Sequence, residues 1–507
     1  MLTAAVWASV LLLGLMVVRA SRQYNLSRPP GPPGLPILGN VLDWTSHEMW
    51  RRTDDVPLGD MVFVRVFGMS VLFLNSHEAV NELLHKRGAL YSDRAHLVLA
   101  CEMAGFGDIV PLTRYGEKFK LERRLMNQAL GFSVLEKWQP FVAKEAHLLL
   151  SSLLSEPQSY LAHFKRYAGS LIFTTIYGYH TKLKRDPYIA DAEQFMSASS
   201  SSMAGGWMVD SFPFLRYVPG LGVHRIAEKW RNQLPVWVDK PYQMFKALPD
   251  STMKQNSFCG NLLMDDHGKI STDPELEHRV KWLATSLYGP GSDTTVVSLT
   301  MLLLALVHYP EVLKKAQREI DRVVGTERLP TFSDREQLPY IDCIIKEVLR
   351  WGTPVPITPP HRLIQPDQYR EYTLDEGIVH NSQSRRRAIL HDERLYPEPE
   401  KFSPERFELE KDLERLRLMD SFNYAFGFGR RRCPGMHFAD QSLFFTFTSI
   451  MACFNIAPVT DSNGEPILPP LEFDGGVFRH PKPFKCSITP RRKNVESLIQ
   501  AAVSVSI

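Results

Sequence analysis

The chain is 507 residues long, 44% apolar and 23% charged, which is enough apolar material for a large core and ordinary charge for a globular body. A net charge of +3 at this size argues against a nucleic-acid binder, which would show a strongly basic face. Six cysteines (Cys101, Cys259, Cys343, Cys433, Cys453, Cys486) occur without CxxC or regular spacing, which excludes a disulfide framework and a zinc site and points to a reducing compartment.

In chain order, Leu2 to Val18 is an uncharged apolar run at the lower length limit for a bilayer span. No basic stretch precedes it, and Arg19, Arg22 and Arg28 follow, so it reads as an anchor holding the body on the cytoplasmic side rather than as a cleaved signal. The sequon at Asn25 then lies on the wrong side for glycosylation. The proline-rich SRPPGPPGLP, Ser27 to Pro36, reads as a stiff, extended arm. The organisation expected is an anchor over 1–20, a basic and proline-rich linker over 21–39, and one domain over 40–507.

Within that domain, Met61 to Asn75 alternates β-branched and aromatic residues around Gly68, as a hairpin does. Helices are predicted over Glu78 to Gly88, closing on the glycine, then over Tyr115 to Leu130 and over Ser159 to Tyr179. Arg279 to Tyr309 is apolar on nearly every face and is expected to cross the middle of the protein; Asp293 and a central Gly-Pro-Gly argue against a second membrane span. After residue 351 the chain is proline-rich and irregular until a last long helix from His437 to Phe454. These elements describe a mainly α (α+β) fold, a helical body with one small sheet.

Three features carry chemistry. KEVLR places Glu347 and Arg350 one helical turn apart, on a helix whose other side is apolar, so a buried pair is allowed. SPERF supplies Arg406, and a buried carboxylate would need both arginines to offset its desolvation. FGFGRRRCPG, Phe426 to Gly435, sets Cys433 after three arginines, with Gly427, Gly429 and Gly435 letting the backbone approach a flat ligand. Positive charge favours thiolate over thiol, and arginines grip carboxylates. A thiolate, carboxylate-binding arginines and a close backbone together fit a haem with cysteine as axial ligand.

On these residues the sequence resembles the cytochromes P-450, the haem-thiolate monooxygenases. Phe426, Gly429, Arg431, Cys433 and Gly435 match F-x-x-G-x-R-x-C-x-G in full, and the E-x-x-R and P-E-R-F motifs precede it in the family's order. YGEKFKLERRLMNQAL, LPYIDCIIKEVLRW and CPGMHFAD look most like fungal microsomal members, particularly those of basidiomycetes.

The resemblance implies haem b (heme b, iron protoporphyrin IX) with Cys433 as iron ligand and Phe426, Gly429, Arg431 and Gly435 around it. Arg431, Arg123 and His361 would contact the propionates. Arg123 belongs to a W-x-x-x-R helix in which Phe119 replaces tryptophan, losing an indole donor. Glu347, Arg350 and Arg406 would form a structural triad. Asp293 and Thr294, in Pro290-Gly291-Ser292-Asp293-Thr294-Thr295, would relay protons. Two departures stand out: Pro290 inside a helix, costing about 3 kcal/mol in a regular one, and the polar GIVHNSQSRRRAILHD in place of an apolar strand. Arg385, Arg386 and Arg387 in it are expected at the surface.

The activity implied is insertion of one oxygen atom from O2 into an apolar small molecule. Electrons would come from NADPH–cytochrome P-450 reductase, with cytochrome b5 as a second donor, at the endoplasmic reticulum membrane. Membrane lipid and substrate are expected partners, and nucleic acid is not. The alternatives are a haem-thiolate isomerase or dehydratase needing no reductase, and a paralogue that binds haem without turnover. The substrate would meet the loop from Arg94 to Leu112, the SMAGGWMVDSFPF stretch (Ser202 to Phe214) and the long helix.

Overall fold

A computed structural model of the chain describes residues 27–35, 38–41, 59–67, 69–204, 206–265, 267–356, 360–381, 386–474 and 477–506. The apolar run from Leu2 to Val18, the Asn25 sequon and the Arg385 side chain lie outside these residues, as do the side chains of Arg386 and Arg387.

The body is mainly helical, as expected. Its long helices are α1 (Glu117–Leu130), α2 (Gln139–Ser155), α3 (Tyr160–Tyr177), α4 (Pro187–Met203), α5 (Pro274–His308), α6 (Pro310–Val323), α7 (Pro339–Trp351) and α8 (Met436–Cys453). Local signals start and stop them. Asp273 caps α5 by accepting from the Glu275 amide at 3.0 Å, with Pro274 in the first turn and Glu275 and Glu277 beside the positive end of the dipole. Asp186 and Pro187 do the same for α4. Gly178 ends α3 at φ +70°, a left-handed turn that glycine reaches without strain.

α5 runs through the centre. An 18-residue window of it is apolar and long enough to cross a membrane, yet 72% of that window is buried inside the protein. It is one continuous helix across Pro290, which has no N–H to offer the preceding turn. The flanking glycines explain the packing there. A Cβ on Gly289 would lie 2.7 Å from Met196 Sδ on α4, and one on Gly291 would lie 2.5 Å from Ile172 on α3.

The hairpin forms as predicted, β1 (Met61–Val66) against β2 (Met69–Leu74), with Val64 opposite Val71. Three short strands that the sequence did not reveal complete its sheet: β3 (Asp93–Arg94), β4 (His361–Arg362) and β5 (Val379–Asn381), in the order β1-β2-β5-β4-β3. β5 pairs parallel to β2 (Val71 with Val379), so the polar Gly377–Asp392 segment still contributes a strand before turning into a short helix, Arg386–Leu390. Glu78 to Gly88 differs from expectation. An α-turn, His77–Val80, widens into a π-helix, Asn81–Lys86, and Gly88 opens a further short helix instead of closing the first. Arg87 stands at that break: its side chain bonds Glu82 at 3.1 Å and, at 2.9 Å, Asp367 in a separate small hairpin, Asp367–Tyr369 with Tyr372–Leu374.

Candidate active site

The FGFGRRRCPG segment folds as a tight loop leading into α8. Gly427 (φ +80°) and Gly429 (φ +51°) take conformations that side chains resist, and a Cβ on Gly429 would sit 2.0 Å from the Leu84 carbonyl oxygen. The Cys433 amide donates to the Phe426 carbonyl at 2.7 Å and closes the loop. Cys433 is exposed, and it lines a cavity of about 310 Å³ under α5 together with Phe426, Pro434 and Gly435.

Three arginines share that cavity's wall, Arg94, Arg123 and Arg431, and no carboxylate lines it among the described residues. Arg431 donates from Nε to the Ser92 carbonyl at 2.8 Å and from Nη2 to Thr113 at 2.7 Å. Its guanidinium carbon lies 3.7 Å from the centre of the Phe119 ring. The tryptophan-to-phenylalanine departure therefore keeps a flat face for a cation while dropping the indole donor. Arg123 donates to the Arg432 carbonyl at 2.5 Å. Burial pushes the Arg431 pKa down to about 9, and burial lowers Arg123 as well. An anion against this wall would relieve both. A soft sulfur, a close backbone, three largely buried cations and an otherwise apolar lining fit a flat, apolar, dianionic group.

Behind the cavity, Glu347, Arg350 and Arg406 come together as the motif order implied. Arg350 grips Glu347 through Nε and Nη2, at 2.7 and 2.9 Å, and Arg406 Nε and the Ser403 amide reach Oε1 at 3.1 and 2.8 Å. Glu347 and Arg350 are fully buried. Arg350 also donates to the Leu390 and Lys401 carbonyls, which pins the segment after β5 to α7.

The family model for Cytochrome P450 matches residues 29–488. The chain belongs to the cytochrome P450 family. It is 49% identical to cytochrome P450 monooxygenase claT of Ampulloclitocybe clavipes, with 99% of each chain covered. It is 36% identical to claR of the same fungus (96% and 90% covered) and 35% identical to cytochrome P450 monooxygenase 176 of Postia placenta (95% and 94% covered). The protein is therefore a cytochrome P450 monooxygenase, and the cofactor of its family is haem.

Other expected site residues of this P450 are placed differently from one another. Thr294 lines the cavity, its Oγ1 donating to the Pro290 carbonyl at 3.0 Å. Asp293, one residue earlier, is not among the lining residues and meets His480 Nε2 at 3.2 Å. His361 is buried in β4, its Nδ1 2.9 Å from the Tyr91 carbonyl oxygen, and it also stands outside the lining.

Arg94 was expected only as an end of the substrate loop. Its place beside Arg431 follows from the pairing of β3 with β4, which no local pattern announces. Among the described residues, the Ser202–Phe214 stretch reaches the lining through Met203, while Phe195, Met196 and Ser199 of α4 supply more of it. Val209 and Trp207 pack instead on Val98 and Leu99, forming a small apolar cluster of their own. Val477 and Phe478, from a loop near the C-terminus, complete the apolar wall.

Proposed function

We propose that this P450 inserts one oxygen atom from O2 into an apolar small molecule, using electrons from NADPH–cytochrome P-450 reductase with cytochrome b5 as a second donor. The observation that carries the reading is one cavity whose wall joins a cysteine sulfur and three arginines, with no carboxylate among the described lining residues, to the apolar side chains of Ile109, Ile172, Phe195, Leu287, Val477 and Phe478.

Haem b, when bound, supplies electron-rich iron chemistry that cleaves the O–O bond. Cys433 would hold its iron, Arg431, Arg123 and Arg94 would receive the propionates, and His361 would brace from behind the strand that carries Arg94. Phe426 and Gly435, in the cavity wall, would let the loop lie close to the macrocycle, and Gly429 seats the loop against the Leu84 carbonyl. The triad of Glu347, Arg350 and Arg406 fixes the segment behind it. The apolar lining excludes water and orients a neutral substrate. Asp293 and Thr294 move protons toward the cavity, a role worth roughly 10²- to 10⁴-fold in rate for a positioned group. Residues 1–20 anchor the chain in the endoplasmic reticulum membrane, 21–39 link it, and 40–507 form the catalytic domain on the cytosolic side.

The test is spectroscopic. Reduced protein with carbon monoxide is expected to show the red-shifted Soret band of thiolate ligation, and Cys433→Ala to lose it. A histidine-type spectrum in haem-loaded wild-type protein overturns the assignment. NADPH consumption that depends on the reductase excludes the isomerase and dehydratase alternative.

A further inference from the structure

Asp293 does not stand alone on the outer side of α5. Its Oδ2 meets Nε2 of His480 at 3.2 Å, and the two side chains are 24% and 34% exposed, so the pair lies at the solvent edge. The next residue, Thr294, lines the cavity. His480 and Asp293 thus stand paired at the solvent edge of α5, one residue along the chain from a hydroxyl in the cavity wall.

His480 is held there by a well-tied loop. The Asp474 amide donates to the His480 carbonyl at 2.8 Å and the Lys482 amide to the Glu472 carbonyl at 2.9 Å. Arg479 anchors the loop to the end of α7. Its amide donates to the Pro354 carbonyl at 3.0 Å, its Nη1 to the Trp351 carbonyl at 3.2 Å, and its guanidinium lies over the Phe473 ring at 3.6 Å. The same loop sends Val477 and Phe478 into the cavity wall. A histidine aimed at the carboxylate by its own strapped loop is a costly arrangement for a solvated surface pair, which is ordinarily worth little.

We propose that His480 is a positioning residue of the proton path, orienting the Asp293 carboxylate and refilling it with protons from solvent. The proposal rests on the reading of Asp293 as a proton carrier. In each cycle the Nε2 proton passes to Oδ2, giving a neutral ring and a neutral acid. The ring regains a proton from water, and the acid yields its own toward Thr294 and returns to carboxylate. One proton moves inward, no electron moves, and both side chains end as they began.

The charged groups facing His480 agree. Burial lowers its pKa, but the hydrogen bond and charge of Asp293 and the charge of Asp474 outweigh this and raise it above the usual histidine value. Lys165 on α3 opposes, and it is itself paired to Glu193 of α4 at 3.0 Å.

The experiment uses the full-length, haem-loaded chain with reductase, NADPH and dioxygen, without added substrate, and follows NADPH oxidation and its solvent deuterium isotope effect against pH. Asp293→Asn is expected to slow oxidation about a hundredfold, the low end of what a positioned proton donor contributes. His480→Gln is expected to slow it by about tenfold, less because water still reaches the partly exposed carboxylate. It should also raise the isotope effect and erase the histidine limb of the pH profile. A second readout needs no turnover. Wild-type thermal stability should fall as pH rises through the raised His480 pKa, and His480→Gln should flatten that fall. His480→Asn replaces Gln if Gln does not load haem. If Asp293→Asn slows oxidation while the His480 variants keep the wild-type isotope effect and pH profile, the role of His480 is overturned and that of Asp293 stands. If Asp293→Asn changes nothing, the underlying reading of Asp293 falls, and His480 with it.

Discussion

Removing the Glu347 carboxylate should be among the most damaging single changes in this protein. The side chain is fully buried and accepts from both guanidinium groups and a backbone amide, while Arg350 beside it is equally buried. Glu347→Ala leaves two cations facing one another with no counter-ion, and breaking a buried pair from one side costs about 3–5 kcal/mol. Arg350 keeps its bonds to the Leu390 and Lys401 carbonyls, and Arg406 keeps those to Pro397 and Lys401, so the charges are not stripped of partners and the lower part of that range applies. Against a total stability of about 5–15 kcal/mol this is a large fraction. The assay is urea unfolding of the haem-loaded chain, followed by the Soret band and by far-UV dichroism, where the midpoint should drop. Because the cost comes from uncompensated charge, replacing both partners by leucine (Glu347→Leu with Arg350→Leu) should destabilise less than Glu347→Ala. A Glu347→Ala unfolding free energy within about 1 kcal/mol of wild type, the range of an exposed pair, would refute the reasoning.

Three further outcomes are expected. Thr294→Ala should leave substrate-induced spectral shifts intact and divert reducing equivalents to peroxide, since among the described residues Oγ1 bonds the Pro290 carbonyl alone; unchanged coupling removes Thr294 from the proton path. Asp210 accepts the Leu99 amide at 2.9 Å, tying the short Met208–Ser211 helix to the Val98–Met103 turn, and burial pushes its pKa up to about 6 despite the Leu99 and Val98 amides. With the folded pKa above the unfolded value of 3.8, its contribution is full below about 4 and is lost as pH climbs through about 6. Hydrogen exchange at Leu99, corrected for intrinsic rate, should therefore quicken across that window and become independent of pH in Asp210→Asn. Pro290→Ala should raise the unfolding free energy by up to about 3 kcal/mol, because it restores a helical hydrogen bond to the Ser286 carbonyl and removes a ring clash; a clear loss of stability would show that the proline is built into the packing.

The parts of this site that were legible in the sequence are those whose chemistry is local. Cys433, the glycines of its loop and Arg431 sit within ten residues, and Glu347 and Arg350 within one helical turn, so spacing alone announced a loop and a pair. Arg94, Val477, Phe478 and His480 were silent because they act through partners far along the chain. Arg94 is placed by two-residue strands too short to show alternation, and His480 by a loop whose anchors lie more than a hundred residues upstream.

The Gly289-Pro290-Gly291 stretch shows where the two kinds of information meet. By sequence it is a departure from a proton-relay motif, a proline placed where a helix should lose a bond. In the structure the glycines on either side carry the explanation, because any side chain there would strike Met196 on α4 or Ile172 on α3. Both of those residues line the cavity, as do Pro290 and Gly291. The stretch therefore sets how closely α3 and α4 press on α5, and with it the width of the cavity where Met196, Ile172, Pro290 and Gly291 line it. A larger residue at Gly289 or Gly291 would act on substrate fit through helix spacing, without touching the proton path at Asp293 and Thr294.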